Sequence, residues 1–211
     1  MSFTAGGPHM AVDTAWIAPV TLDGTRVRME PLSLERHFEP LCEIGLDADL
    51  WRWTTNRVHT REELRGYLET ALREQVEGRS LPFVTVDKPS GRIAGSTRFG
   101  NIDRHNRHVE IGWTWVGRPY QRTYVNTEAK YLMLRHAFET LGCVRVELKT
   151  NALNRRSRDA MLRIGCIEEG VFRRYQRNDD GTWRDTAFYS VIDGEWPQVK
   201  ARLEGMLARV V

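Results

Sequence analysis

The stretch from residue 108 to residue 149 restricts the possible folds of this chain most strongly. A strand-like segment at 108–116 is followed by a ten-residue loop and by a helix over about 126–141, where apolar residues recur at helical spacing. Gly142 closes the helix, and strict alternation over 144–149 predicts a strand with one buried face. Strand, loop, helix and strand over this length predict a βαβ unit.

The rest of the pattern surrounds this unit with antiparallel strands and further helices. A strand near Val27 precedes helices that begin at Ser33 and at about Thr60, and strands follow at about 81–87 and 92–102. A second helix at 154–164 leads to a long hairpin, 167–178 and 182–192, and a last helix begins near Glu195. The expected fold class is α/β or α+β, with helices on a mixed sheet.

Composition indicates one soluble globular domain. Of the 211 residues, 41% are hydrophobic and 28% are charged, which excludes a disordered chain. The net charge of +3 is too small to make nucleic acid the expected main partner. No apolar run reaches the roughly 20 residues that span a bilayer. We expect a loose arm at 1–20 and a single domain at 21–211. The three cysteines form no C-x-x-C pair, which favours a reducing, cytoplasmic location without a membrane partner.

The loop at 117–126 is a candidate anion site. It joins a strand to a helix, so its backbone N–H groups and the helix dipole converge on one spot, and Arg118 and Arg122 add positive charge. An ordinary strand-to-helix connection with Asn126 as N-cap explains the same residues equally well.

Two segments carry a resemblance to a known family. The order of elements, with Gln121-Arg122-Thr123-Tyr124-Val125-Asn126-Thr127-Glu128-Ala129-Lys130 and Asn154-Arg155-Arg156-Ser157, resembles the GNAT superfamily of acyl-CoA-dependent N-acyltransferases. The most similar branch is that of the ribosomal-protein N-terminal acetyltransferases. The resemblance covers about residues 20–209. It implies a mostly antiparallel sheet with a splayed strand pair, and acetyl-CoA or succinyl-CoA as co-substrate without a metal.

The resemblance also implies a set of cofactor-binding residues. In this family a Q/R-x-x-G-x-G/A loop wraps the coenzyme A pyrophosphate with backbone amides, and the splayed strand pairs with the pantetheine arm. Tyr124 stands where a glycine is usual and Asn126 where a small residue is usual, which favours an unusual acyl group or a blocked site. The implied residues are Trp115, Val116, Gln121, Arg122, Thr123, Tyr124, Val125, Asn126, Thr127, Asn154, Ser157 and Arg158.

Glu110 is the candidate general base. Alternation over 108–116 predicts Val109, Ile111, Trp113 and Trp115 on one face, with Glu110 on the other. A carboxylate in so apolar a strand is suited to accept a proton from an ammonium or through water, and the matching Glu has this role in the branch named above. The alternatives are pairing to a nearby arginine or exposure on an uncovered face.

Ser157 is the candidate general acid. Asn154 and Ser157 stand at N-cap and N3 of the predicted helix, and simple capping accounts for both. The resemblance implies that Asn154 contacts the pantetheine arm and that Ser157 protonates the departing thiolate. Met161 stands one turn on, where many relatives carry a tyrosine, and it has no proton to donate.

The substrate pocket is less defined. Trp51 and Trp53 form an aromatic connector that either packs as a loop or walls a pocket, and Arg98 lies on a strand near Glu110. The expected reaction is acyl transfer to a primary amine, which is a protein N-terminus or a small molecule, in a protein that self-associates. The alternatives are an acyl-CoA sensor without turnover and an RNA-associated module that uses Arg173, Arg174 and Arg177.

Overall fold

The computed structural model describes residues 16–209. Its elements in chain order are β1 Leu22–Asp23, β2 Val27–Pro31, α1 Leu34–Gly45, α2 Ala48–Trp51, α3 Arg61–Val76, β3 Leu81–Asp87, β4 Arg92–Asp103, β5 His108–Val116, α4 Tyr124–Arg135, β6 Arg145–Asn151, α5 Arg155–Ile164, β7 Ile167–Arg177, β8 Trp183–Ile192 and α6 Trp196–Ala208. The predicted order is confirmed. The additions are β1, α2 and a 3-10 turn at Arg118–Tyr120, which span two, four and three residues and are too short for a periodic signal.

One mixed sheet of eight strands organises the described residues, in the order β1-β2-β3-β4-β5-β6-β8-β7. Its strand pairs are antiparallel except β5 and β6, which are parallel as the βαβ pattern predicts. This parallel pairing begins at His108 and Arg145 and ends at Glu110 and Glu147. Beyond that point β5 continues to Val116 without β6 beside it, so the sheet opens into a cleft, and the expected splayed pair is confirmed.

Side-chain caps set where the helices begin. Thr60 and Glu63 form a capping box at the start of α3, and Asn154 caps α5 as predicted. The predicted start of α4 is wrong: Thr123 is its N-cap, because its side chain accepts a hydrogen bond from Val125 N. Asn126 therefore lies in the first helical turn. After Arg135 the helix continues as one π-helical segment, His136–Thr140.

Two apolar layers cover the two faces of the sheet. Helices α1, α2 and α3 pack on one face, and α4, α5 and α6 pack on the other. The predicted alternation along β5 is wrong after Gly112, because a β-bulge inserts one extra residue there. Ser96 of β4 pairs with Trp115 of β5, whereas Arg98 pairs with Gly112. Val109 and Ile111 face α4, whereas Trp115 packs with Trp51 under α1–α3. Trp113, at the bulge, has a φ of 51°.

The described part of the N-terminal arm lies against the domain. Trp16 Nε1 donates a hydrogen bond to the carbonyl oxygen of Leu141 at 3.0 Å, and Ile17 and Val20 pack on the core. Residues 1–15 lie outside the described part, so the predicted boundary at residue 20 stays a prediction. Within residues 16–209, no helix combines the length and hydropathy needed to cross a bilayer.

Candidate active site

The loop before α4 lies at the open end of the cleft. Arg122 and Thr123 are exposed there, and the first N–H groups of a helix have no partner within the helix. Gln121 connects the two sides of the cleft: its Nε2 donates to the carbonyl oxygen of Val116 at 2.8 Å, and its Oε1 accepts from Arg156 Nη1 at 2.8 Å. This arrangement is suited to bind an anion, as the sequence predicts.

Some side chains of this loop are left for an anion, and others are engaged by the rest of the protein. Arg118 pairs with Asp47 and Asp49 of the α2 region, so its charge is already compensated. Arg122 stays at the loop with a φ of 61°. Val125 and Thr127 are buried, and Thr127 Oγ1 accepts from Arg163, so their side chains face the domain rather than the loop.

Tyr124 points away from the cleft, which answers the question raised by its place in the family motif. Its hydroxyl donates to Asp87 Oδ1, and the Arg26 guanidinium lies 4.1 Å from the centre of its ring. The hydrogen bond to Asp87, together with burial, raises the pKa of Tyr124 to about 12. The side chain is therefore a neutral donor held against the β3 end of the sheet, and it does not occupy the cleft.

Tyr124→Phe is expected to destabilise the fold while leaving coenzyme A binding unchanged. The substitution removes a hydrogen bond to a buried carboxylate, which is worth roughly 1.5–3 kcal/mol. Urea unfolding and calorimetric titration with coenzyme A measure the two quantities. Tyr131→Phe is the matched control, because that hydroxyl bonds to Glu204 on the surface and its loss has a smaller effect. A weakened coenzyme A affinity in Tyr124→Phe alone would contradict this placement.

Glu110 lies in an ion-paired cluster rather than alone. It is 7% exposed, and its Oε2 accepts from Lys149 Nζ at 3.0 Å and from Asn101 Nδ2. Lys149 also pairs with Glu147 Oε2 at 3.2 Å. Burial alone would lower the pKa of Lys149, but the two carboxylates outweigh it and raise that pKa. Pairing was anticipated as an alternative, and the partner is a lysine on β6 rather than an arginine.

The two carboxylate oxygens of Glu110 differ in their contacts. Both hydrogen bonds fall on Oε2, and within residues 16–209 none reaches Oε1. Oε1 lies over Gly112, where a Cβ would stand 2.8 Å from it. Gly112 is paired across the strands with Arg98, so Oε1 lies on the α3 face of the sheet at the inner end of the cleft.

The start of α5 forms the opposite wall. Asn154 Oδ1 accepts from Ser157 N at 3.2 Å, and its Nδ2 donates to Thr150, so the capping explanation holds for Asn154. The Ser157 hydroxyl is half-buried and forms no hydrogen bond within the described chain. Arg158 bonds to Tyr189, Ala152 and Glu168, which leaves it as a structural group in this state.

A cavity of about 680 Å³ opens on the α3 side of the sheet, next to the cleft. Arg98 lines it, and its place in a substrate pocket stays a prediction, whereas Trp51 is buried in the core with 1% exposure and Trp53 lies outside the lining. The connector reaches the cavity through the residues that follow the tryptophans. The lining consists of Thr55, Asn56, Arg57, Val58, Glu63, Gly66, Tyr67, Thr70, Glu74, Arg98, Trp113, Asp179 and Asp180.

Sequence reasoning missed the charged residues that surround Arg98. The guanidinium bonds to Glu74 at 2.7 Å and lies 4.2 Å from the centre of the Trp113 ring. Its Nε is buried without a hydrogen-bond partner in the described chain. Glu74 is on α3 and Asp180 is in the β7–β8 turn, and only the fold brings these segments together. No group of three His, Cys, Asp or Glu side chains suited to a metal occurs within residues 16–209.

The fold and the cleft define a class of acetyltransferases. Residues 26–167 match the family model described as the Acetyltransferase (GNAT) domain. The chain belongs to the GNAT family, and its similarities fall in the branch of the ribosomal-protein N-terminal acetyltransferases.

Individual relatives extend this assignment. A GCN5-related N-acetyltransferase from Brucella melitensis is 32% identical, with a TM-score of 0.85 over 92% of this chain and 88% of that one. RimJ of Mycobacterium smegmatis, solved with CoA-disulfide, is 27% identical, with a TM-score of 0.76 over 89% of this chain and 95% of that one. The ribosomal protein uS5-alanine N-acetyltransferase of Escherichia coli strain K12 is 26% identical over 121 residues, which are 57% of this chain and 61% of that enzyme. The match to YdaF of Bacillus subtilis also covers only part of that relative, namely 57% of its length.

Proposed function

We propose that this protein transfers an acyl group from an acyl-CoA to a primary amine. The observation that carries the proposal is the separation of β5 from β6 immediately beyond Glu110, beside the N-terminus of α4. This geometry offers a slot for an extended chain between the strands and an anion site at its mouth. Glu110 lies at the inner end, where the acyl group of such a chain would arrive.

The residues at the mouth fit a pyrophosphate. The N–H groups at the start of α4, the exposed Arg122 and the Gln121–Arg156 pair would hold it, and Trp115, Val116 and Asn154 would border the pantetheine arm. When bound, the thioester supplies an activated acyl group. Either an acetyl or a succinyl group is compatible with this site. The rate enhancement is expected to come largely from the positioning of the two substrates.

Proton movements are assigned to Glu110 and Ser157. Glu110 Oε1 accepts a proton from the incoming ammonium, directly or through one water, so that the nitrogen lone pair can form the new N–C bond. As the C–S bond breaks, the Ser157 hydroxyl donates a proton to the departing sulfur and takes up, through water, the second proton that the nitrogen loses, while Glu110 releases its proton to solvent. The free Oε1 and the free hydroxyl described above support these roles.

The cavity lined by Arg98 and Trp113 is proposed to bind the amine acceptor. Its lining carries four carboxylates and two guanidinium groups, so it attracts a cationic amine. We propose a protein N-terminus as the acceptor, because the volume of the cavity accommodates several residues of a peptide. The name of the Escherichia coli relative, a ribosomal protein uS5-alanine N-acetyltransferase, supports the same acceptor. Arg98 lines the cavity, and its guanidinium would donate a hydrogen bond to a peptide carbonyl.

Turnover assays with matched acceptors test this function. Acetyl-CoA is combined with a short peptide that has a free N-terminal alanine, with the same peptide blocked at its N-terminus, and with a polyamine, while coenzyme A release is followed. The proposal expects release with the free peptide only and a mass increase of one acyl group on that peptide. Release with the polyamine alone would overturn the acceptor class, and binding of coenzyme A without any turnover would favour the sensor alternative.

Arg98→Met is expected to raise KM for the peptide about tenfold or more, because a buried donor to the acceptor is lost. The Kd for coenzyme A should stay within about twofold, since Arg98 lies on the acceptor side of the sheet. Arg92→Met on the same strand is the control, because that residue is exposed and outside the cavity lining. An unchanged KM, or an equal loss in both variants, would remove Arg98 from the acceptor site.

Self-association and RNA binding stay predictions that concern the same surface. β7 is an edge strand that exposes Phe172 and Tyr175, and Arg173, Arg174 and Arg177 are exposed beside them. Sedimentation of the purified protein and salt-dependent titration with a single-stranded RNA separate the two uses of this strand.

A further inference from the structure

Lys130 is a buried lysine beside the cleft without an acidic partner. It belongs to α4 and is 6% exposed. Its Nζ donates to Thr114 Oγ1 at 2.8 Å, and Thr114 Oγ1 in turn lies 2.7 Å from Thr97 Oγ1. No carboxylate of the described chain pairs with Lys130, although an ammonium has three protons to donate. Buried cations are normally paired, so this group requires an explanation.

The position of Lys130 relates it to the cleft. Thr114 lies on the part of β5 that has no β6 strand beside it, so the amine reaches the strand where the sheet is open. The titratable groups that act on Lys130 are Glu110 of β5 and Cys166, which precedes β7. Glu110 is engaged by Lys149, and burial raises the pKa of the Cys166 thiol to about 12, so that thiol is neutral.

The charge state of Lys130 is consistent with a missing partner. Burial lowers its pKa to about 7, because the opposing attraction of the Glu110 carboxylate is smaller than the effect of burial. A partly neutral amine in the protein interior costs stability, and such costs are concentrated at functional sites. An anion bound next to it would restore the charged form.

On the basis of the proposed function, we propose that Lys130 selects an acyl-CoA whose acyl chain ends in a carboxylate. The carboxylate is the partner that the buried amine lacks, and the open side of β5 is where an acyl chain would lie. Lys130 is thus a specificity-determining residue for the acyl donor, and its effect is on donor choice rather than on proton transfer.

Calorimetric titration of the full chain with succinyl-CoA and butyryl-CoA tests the inference, because the two acyl chains have equal length and differ in the terminal carboxylate. We expect the wild type to bind succinyl-CoA about tenfold or more tightly than butyryl-CoA. In Lys130→Met the preference should fall to about twofold or less. Titration near pH 8 in two buffers of different ionisation enthalpy should show proton uptake with succinyl-CoA but not with butyryl-CoA.

The outcomes separate this inference from the proposed function. If none of coenzyme A, acetyl-CoA, butyryl-CoA and succinyl-CoA binds the wild type, the proposed function fails and the inference fails with it. If coenzyme A and butyryl-CoA bind but succinyl-CoA binds no more tightly and takes up no proton, the inference alone is overturned. The wild-type measurements test the inference by themselves, even if the Lys130→Met variant folds poorly. Lys200→Met is the control, because Lys200 pairs with Glu139 on the surface. This variant should keep the wild-type preference.

Discussion

Glu110→Gln is expected to lower kcat about a hundredfold or more, because the amide cannot accept the proton that the carboxylate removes from the amine. Coenzyme A affinity should stay within about twofold, since the side chain keeps its size and Oε1 lies beyond the anion site. Steady-state kinetics with the free peptide and calorimetric titration with coenzyme A measure both quantities. Part of the lost rate should return as the pH rises, because a larger fraction of the amine is then already neutral.

Glu147→Gln is the matched control for this experiment. Glu147 is the parallel neighbour of Glu110 and binds the same Lys149 ammonium, at 3.2 Å. Loss of this carboxylate perturbs the ion-paired cluster equally but leaves Oε1 of Glu110 in place, so kcat should fall less than about fivefold. Equal losses in the two variants would assign the cluster to structure and would remove the base from the proposed mechanism.

Lys130→Met is expected to stabilise the protein near neutral pH by about 3 kcal/mol. The lowering of the pKa of Lys130 from 10.5 to about 7 corresponds to an energetic cost of roughly 4–5 kcal/mol, at about 1.4 kcal/mol for each pH unit. The lost hydrogen bond to Thr114 offsets about 1 kcal/mol of the gain. Urea unfolding of both proteins at pH 7 measures the difference.

The pH dependence has a definite sign. Between the folded pKa of about 7 and the unfolded value of 10.5, the unfolded chain holds a proton that the folded chain has released. Wild-type stability therefore rises with pH across this window, and the advantage of Lys130→Met shrinks toward pH 10. Lys200→Met should show no such trend. A variant less stable than the wild type at pH 7, or a difference that is constant between pH 7 and pH 9.5, would contradict this account.

Local patterns in the sequence were sufficient for much of the fold. The alternation at 144–149, the helix closed by Gly142 and the caps at Thr60 and Asn154 depend on neighbouring residues, and the structure follows them. The start of α4 was missed because two polar residues compete for the cap. Thr123 provides it, and the sequence offers no preference over Asn126.

The site depends on features that local patterns do not reveal. The bulge at Trp113 reverses the faces of β5, yet tryptophan is a common strand residue and gives no sign of a positive φ. Lys149 meets Glu110 through a parallel pairing between segments 39 residues apart. Glu110 and the loop at Gln121 were predicted because the family resemblance marks them. Lys130 was not, since a lone lysine in a helix is ordinarily solvated.

Backbone hydrogen exchange with and without acetyl-CoA tests whether the cleft between β5 and β6 binds an acyl-CoA. An acyl-CoA in the cleft should slow exchange at the start of α4, over 121–127, and on the open part of β5, over 113–116, by about tenfold or more at saturation. The β7–β8 hairpin should be unaffected. Protection confined to that hairpin, or no change at 121–127 at ligand concentrations that saturate binding, would contradict the assignment of the cleft as the acyl-CoA site.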